Sequence, residues 1–349
     1  MSVDEHRATP VPPTLHDVAR EAGVSLATAS RALNGSTRTV NETFRRRVLD
    51  AALRLNYTPN LSAQAVAKGL SSTISLLVSD IADPYFSSIA AGAIRAADEQ
   101  RIATTMAVTH RDHERELELV RVLRGQRPRA IILTGSRWDG VASEHRLSDE
   151  LAAYESTGGR VVLVSQRTLP FATVQLGNAT GARELARELV GAGYRRFAVI
   201  AGDDRLLTSR ERVSGFAEGL AEHGIAIHPS RIVRAEFTRD GGRQGAAELL
   251  QLGLDDVDLV FAVNDVMAIG AMSAFRAAGL RLPEDLAVAG YDDIATSRDV
   301  TPALTTVAVP LEAVGEHAVR LALDPATDST TTEPVGATVL LRESTPPRA

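Results

Sequence analysis

The sequence predicts an α/β protein: a small all-α module ahead of a larger, two-lobed body of doubly wound parallel sheets. Three observations carry that prediction. A helical apolar stripe near the N-terminus stops at Gly23 and restarts within a few residues. From Ile74 onward, short apolar runs alternate with longer amphipathic segments. Near Arg196 that alternation begins again. The 349 residues suffice for a small module plus a body of one or two domains. An apolar fraction of 44% and a charged fraction of 23% are ordinary for a folded soluble chain.

The N-terminal module rests on Thr14 to Ser36, "TLHDVAREAGVSLATASRALNGS". Leu15, Val18, Ala19 and Ala22 follow the i, i+3, i+4, i+7 spacing of one helix face. Gly23 ends that helix, and Ser25 is a good N-cap for a second one beginning at Leu26. On the second helix Ala29 and Leu33 are expected to pack inward, leaving Leu26, Ala27, Ser30, Arg31 and Asn34 facing out. Two short helices joined by a tight turn make a helix-turn-helix, and a face of small residues tipped with Arg and Asn fits the DNA major groove. Charge supports this reading over a merely wet helical hairpin. Residues 1–70 hold nine Lys/Arg and six Asp/Glu, a balance of +3, which leaves -9 on the rest of a chain whose net charge is -6. A basic end on an acidic body is the electrostatic footprint of a nucleic-acid module.

The body reads as parallel strands covered on both faces: "ISLLVSD", "ATTMAV", "AIILTG" and "RVVLVSQ", then "RFAVIAG", "RIVRAEF", "DLVFAVND" and "LAVAGYDD". "LTTVAVP" and "ATVLLRES" are expected as late strands crossing back between the lobes. In open parallel sheets the ligand crevice lies beyond the carboxyl ends of the strands. Those ends carry Asp80 and Asp83, His110, Gln166 and Arg167, Asp203 and Asp204, Phe237, Asn264 and Asp265, and Asp292 and Asp293. Each alone is explained as a turn residue. Their convergence favours a cleft for a ligand with many hydroxyls, with an aromatic ring for its C–H side.

On these residues the chain resembles the LacI/GalR family of bacterial transcription regulators. "TLHDVAREAGVSLATASRALN" fits that family's long opening signature, with Ala29 where Val is usual. "NYTPN", "DIADPYFSSI", "RERVSGF", "NDVMAIGA", "GYDD", "LTTVAVP" and "RES" continue the match along the body. The resemblance implies a helix-turn-helix headpiece at 13–59 after a disordered tail at 1–12, and a hinge helix and linker at 60–72. It also implies a periplasmic-binding-protein-like effector core at 73–349, with lobe 1 at about 73–172 plus 305–325 and lobe 2 at about 173–303 plus 330–345. It further implies that Thr14, Ser25, Thr28, Ser30 and Asn34 hold phosphates while Leu26, Ala27 and Arg31 read bases. Tyr57, Asn60, Ala63 and Val66 are the expected DNA residues around the hinge. Val66, one methylene shorter than the family's usual Leu wedge, implies a weaker kink. In the core, Arg212, Asn264 and Asp292 match residues that hydrogen-bond the effector. Phe237 matches a stacking ring, and Tyr85 and Phe86 line the other lobe. Gln166, Val309 and Gly177 stand where Asp, Gln and Asp are frequent, which implies an effector with a different hydroxyl pattern or one less polar at that end.

No catalytic constellation stands out. "HRDHERE" at 110–116 lacks the H-E-x-x-H spacing and reads as a solvated helix start; "GGRQG" is not a dinucleotide fingerprint, and no G-x-S-x-G elbow occurs. With no cysteine, thiolate chemistry is excluded. The expectation is therefore a non-enzyme without cofactor or metal. Its expected partners are a pseudo-palindromic duplex operator, a small sugar-like effector and a second copy of itself. A dimer is expected over a tetramer because no Leu-rich heptad tail follows "RESTPPRA". Lacking a signal-peptide core or a spanning segment, the chain is expected in the cytoplasm. The alternative is a two-lobed sugar receptor or transport-associated binding protein, against which the basic headpiece argues.

Overall fold

The computed structural model describes residues 13–34, 40–58, 71–140 and 143–348. The chain divides into two units, residues 1–71 and 72–349.

The first unit contains α1 (Leu15–Ala22), α2 (Leu26–Asn34) and α3 (Glu42–Arg54). Thr14 caps α1 through a capping box, its hydroxyl accepting from the Asp17 N–H while the Asp17 carboxylate accepts from the Thr14 N–H. Gly23 turns the chain with φ +62°, a left-handed conformation that suits glycine. Ser25 then starts α2, its Oγ accepting from the Thr28 N–H at 3.2 Å. Val18, Ala22, Ala29, Val48 and Ala51 make the core where the three helices meet, and Leu33 packs on it half-buried. The expected hinge, with Asn60, Ala63 and Val66, lies outside the described residues.

The second unit carries the expected parallel sheets. The first series runs β1 (Thr73–Val78), α4 (Pro84–Glu99), β2 (Ala103–Val108), α5 (His113–Gln126), β3 (Ala130–Thr134), α6 (Ser143–Glu155), β4 (Arg160–Val164) and β5 (Ala172–Leu176). After it come α7 (Asn178–Gly191), β6 (Phe197–Ala201), α8 (Leu207–Ala221), β7 (Ile232–Arg234), α9 (Arg239–Leu252), β8 (Leu259–Ala262), α10 (Asp265–Ala277) and β9 (Ala287–Ala289). The chain ends with α11 (Thr296–Asp299), β10 (Thr306–Ala308), α12 (Leu311–Leu323), β11 (Thr332–Val335) and β12 (Thr338–Leu340). One sheet has the order β11-β5-β4-β3-β1-β2 and the other β7-β6-β8-β9, all parallel. Adjacent strand residues face different cores. Leu76 and Ile132 join the larger apolar cluster while Leu77, Ile131 and Leu133 join a second one under α5 and α6. Burial on both faces is why these strands read as unbroken apolar runs.

Two strand assignments move. The lobe boundary expected at 172/173 falls inside β5, which pairs with β4 and belongs to the first sheet. Residues 332–335, expected in the second lobe, form β11 at that sheet's edge against β5. The segment "TEPV" is polar and half-exposed, so it gave no apolar signal. The late crossing strands are short: β10 pairs antiparallel with β12, and single bridges tie Thr305 to Ala289 and Ala308 to Asp292.

Helices α7 and α8, which carry Asn178 and Arg212, touch almost backbone to backbone. A Cβ on Gly215 would lie 2.1 Å from the Ala179 carbonyl oxygen. Gly215→Ala must push these helices apart, so we expect a loss of about 1–3 kcal/mol in denaturant unfolding. Wild-type stability in that variant would contradict the close approach.

Candidate functional site

On α2, Ala29 and Ala32 are buried while Leu26, Ala27 and Arg31 are exposed and Ser30 is half-buried. Three of the expected phosphate residues have local duties as well: Thr14 caps α1, and Ser25 and Thr28 share a hydroxyl contact at 2.8 Å. Asn34 is the last residue of α2. Tyr57, expected on DNA, packs half-buried against the three-helix core, its N–H bonded to the Ala52 carbonyl.

The ends of the strands meet around one cavity in the second unit. Its atom-free space, open mouth included, is about 750 Å³. The start of α4 supplies Asp83, Tyr85 and Phe86, and the end of β4 supplies Gln166. Arg212 comes from α8, and Phe237, Asn264 and Asp292 follow β7, β8 and β9. Arg167 and Asp265 do not line it. Arg167 is exposed, whereas Asp265 lies fully buried beneath, accepting from the Thr306 hydroxyl at 2.6 Å and the Ile294 N–H at 3.0 Å. Burial raises the Asp265 carboxyl well above the carboxylate range, and nearby Asp292 adds to the effect. Its place is structural, joining the β9 end to β10.

Arg212 is the centre of the site. Although fully buried, its guanidinium donates to Asn178 Oδ1 at 3.0 Å, the Val263 carbonyl at 2.7 Å and Asp292 Oδ1 at 2.7 Å, and it lies 3.8 Å above the Tyr291 ring. Asp292 is held at φ +114°, a conformation rare for a side-chain-bearing residue, which argues for strain concentrated at this strand end. Burial pushes its carboxyl up to about 6 against the opposing pull of Arg212. Asn264 caps α10 by accepting from the Met267 N–H at 2.9 Å. Among the described residues, Asn264 Nδ2 and Asp292 Oδ2 have no protein partner, and both belong to cavity-lining side chains. These two atoms offer a donor and an acceptor to a ligand hydroxyl, and the Nε of cavity-lining Arg137 is a further donor without a partner.

Gln166 is fully engaged by protein. Its Oε1 accepts from the Arg137 N–H at 3.0 Å, and its Nε2 donates to Thr208 Oγ1 at 3.0 Å and Glu211 Oε2 at 2.9 Å. It bridges the first sheet to α8. A strap beside it does the same with backbone: Leu207 N–H donates to the Arg137 carbonyl, Asp139 N–H to the Arg205 carbonyl, and Trp138 bridges Leu206.

Sequence reasoning missed that strap. Arg137 and Trp138 follow β3, a strand end left out of the expected row, and both line the cavity. Glu116 of α5 also lines it, buried and gripping Arg137 through both oxygens at 2.7 and 3.0 Å. His113, read as part of a solvated helix start, is half-buried and edge-on to Trp138 at 4.9 Å between ring centres. Asp203 and Asp204, by contrast, pair with Arg205 and Arg234 in a groove outside.

A three-helix basic unit and a two-sheet core with a polar cavity at its strand ends define a class: DNA-binding regulators that carry a small-molecule cleft. Residues 14–60 match the family model "Bacterial regulatory proteins, lacI family", and residues 186–345 match "Periplasmic binding protein-like domain". The HTH-type transcriptional regulator CelR of Thermobifida fusca is 34% identical over 328 residues, which span 93% of this chain and 94% of CelR. Among solved structures, the lac repressor dimer bound to operator and the anti-inducer ONPF is similar at TM-score 0.81 and 26% identity, covering 96% of this chain and 100% of that one. A CelR–cellobiose complex is similar at TM-score 0.69 and 30% identity, covering 95% and 99%. The chain belongs to the LacI family. Among the described residues no helix is long and apolar enough to cross a membrane.

The raised Asp292 carboxyl gives a pH dependence of definite sign. Between about pH 4 and about pH 6 the folded state keeps a proton that the unfolded chain has lost. The contribution of this group to stability is therefore present at low pH and lost as pH rises through 6. Unfolding free energies of wild type and Asp292→Asn, measured from pH 4 to 7, are expected to differ by an amount that falls by roughly 3 kcal/mol over two pH units. A pH-independent difference would contradict this environment.

Proposed function

We propose that this protein is a sequence-specific DNA-binding repressor of carbohydrate-utilisation genes, acting as a homodimer on a pseudo-palindromic operator. A sugar-like effector in the cleft sets its affinity for that operator. What supports the DNA half is α2, which buries Ala29 and Ala32 and leaves Ala27 and Arg31 outward on a unit of net positive charge. A helix of this kind places Arg where a guanine edge can be met by two hydrogen bonds. Leu26 and Ala27 offer apolar contact, while Ser25, Thr28, Ser30 and Asn34 suit phosphates.

The effector half rests on one observation, the pair Asn264 Nδ2 and Asp292 Oδ2 beside the anchored Arg212. A donor and an acceptor that the protein leaves open at the cavity wall are free to bind a ligand hydroxyl. Phe86, Tyr85 and Phe237 supply apolar faces around them. Asp83 is committed to the Tyr85 N–H and Arg111, so its part is to shape the wall. Gln166 holds the two sheets together. Arg167 and Asp265 are left out of the proposed contact set. The relatives point the same way, since one is solved with cellobiose and another on operator DNA. Ligand then shifts the population between core conformations with different operator affinity.

Two variants test the halves separately. Arg31→Ala is expected to lose about 1–3 kcal/mol of affinity for the duplex that the full-length protein selects from random sequences. Unchanged affinity and sequence preference would contradict the register of α2. Asn264→Ser keeps a capping oxygen for α10 but removes the Nδ2 donor, so operator binding should persist while the response to ligand weakens at least tenfold. A full response in that variant would remove Asn264 from the site.

A further inference from the structure

The cavity is balanced in charge by its own walls. Arg111 pairs with Asp80 at 3.0 Å and Asp83 at 3.2 Å. Arg137 is 4% exposed and gripped by Glu116, with Glu144 at 3.5 Å behind it. Arg212 is closed by Asp292, Asn178 and the Val263 carbonyl. Among the described residues lining the cavity, no guanidinium is without a carboxylate. Burial holds the His113 imidazole below its ordinary range, so it adds no charge at neutral pH. A phosphate or carboxylate entering here meets Asp83, Glu116 and Asp292 and finds no waiting cation. Capturing one of the arginines would strand its buried carboxylate, an arrangement proteins tolerate poorly.

A second groove adjoins the cavity. Trp138 and Phe237 line the cavity and, at the same time, line this groove, which holds His110, Asp203, Asp204 and Gln244. Trp138 stands at this neck with its backbone bridged to Leu206, His113 edge-on to its ring and the Arg205 guanidinium 5.8 Å from the ring centre. An aromatic side chain fixed between an inner polar cavity and an outer polar groove gives the apolar face of a sugar ring something to rest on.

We propose that the effector is an uncharged oligosaccharide of at least two rings, one held inside by Asp292 and Asn264 and the next resting on Trp138 at the neck. This rests on the reading of the cleft as the effector site. The charge balance excludes acidic ligands, and the groove that adjoins the cavity at Trp138 and Phe237 offers a place for a second ring.

Trp138 is the only tryptophan in the chain, so its emission in the full-length protein reports on the neck directly. The probes are glucose, galactose, cellobiose, maltose, trehalose, lactose and cellotriose, set against glucose 6-phosphate, trehalose 6-phosphate and glucuronate. At least one neutral di- or trisaccharide should change the emission saturably and bind tenfold or more tighter than either monosaccharide, with the charged probes weaker than glucose. By calorimetry, Trp138→Ala should weaken that oligosaccharide tenfold or more while changing monosaccharide affinity less than threefold, and Trp138→Phe should restore most of the loss. Tighter binding of a charged probe, monosaccharides equal to oligosaccharides, an equal loss for both in Trp138→Ala, or no neutral saccharide bound would each overturn the proposal. If Trp138→Ala does not fold, the comparison is made with Trp138→Phe and Trp138→Leu, and equal affinity in these two overturns it. Duplex titrations on the same samples separate the two readings. An oligosaccharide that binds as expected but leaves duplex affinity unchanged contradicts the regulator, not the ligand class.

Discussion

The guanidinium of Arg212 is the point on which the core's architecture converges. A fully buried charge is tolerable only when its partners are fixed and complete. Here they come from three places: Asn178 at the start of α7, the carbonyl at the end of β8, and Asp292 at the end of β9, with the Tyr291 ring beneath. Satisfying that one group places two strand ends and a helix start within a side chain's reach of one another. It also leaves Asp292 with one oxygen used and one open. The site's ligand-facing chemistry is what remains after Arg212 has been served.

The same economy of partners recurs on the other wall. Gln166 spends its whole amide on Arg137, Thr208 and Glu211, and the 136–139 strap adds backbone bonds to the start of α8. These contacts join the first sheet to the second beside the cavity, so a ligand that alters them alters how the sheets meet. A polar bridge of this kind suits a two-state element better than an apolar seam would, because its bonds exchange with water or ligand hydroxyls at small net cost.

Much of this was legible in the residues. The parallel sheets announced themselves because strands buried on both faces are continuous apolar runs, as in "ISLLV" and "DLVFAV". The rule that crevices lie beyond strand ends located Asp83, Gln166, Phe237, Asn264 and Asp292 correctly around one cavity. It went wrong where neighbours in sequence face opposite ways, since Asp265 and Arg167 sit beside lining residues but point elsewhere. Trp138 and Arg137 needed only the same rule applied after β3. Glu116 gave no signal, because a glutamate on an amphipathic helix looks like surface until its arginine partner is known. β11 was hidden for the opposite reason to the core strands: an edge strand of polar residues takes its place through backbone pairing, to which side-chain hydropathy is blind. The hinge expected at 60–72 lies almost wholly outside the described residues.

The account's central claim is that one molecule couples a saccharide cleft to DNA reading. Coupling of this kind is reciprocal by thermodynamic necessity. The decisive measurement is the affinity of the full-length protein for its selected duplex with and without a saturating neutral oligosaccharide, together with the oligosaccharide affinity with and without duplex. The account predicts that both affinities change by the same factor, about fivefold or more. Two affinities that stay constant, each indifferent to the other ligand, would contradict it.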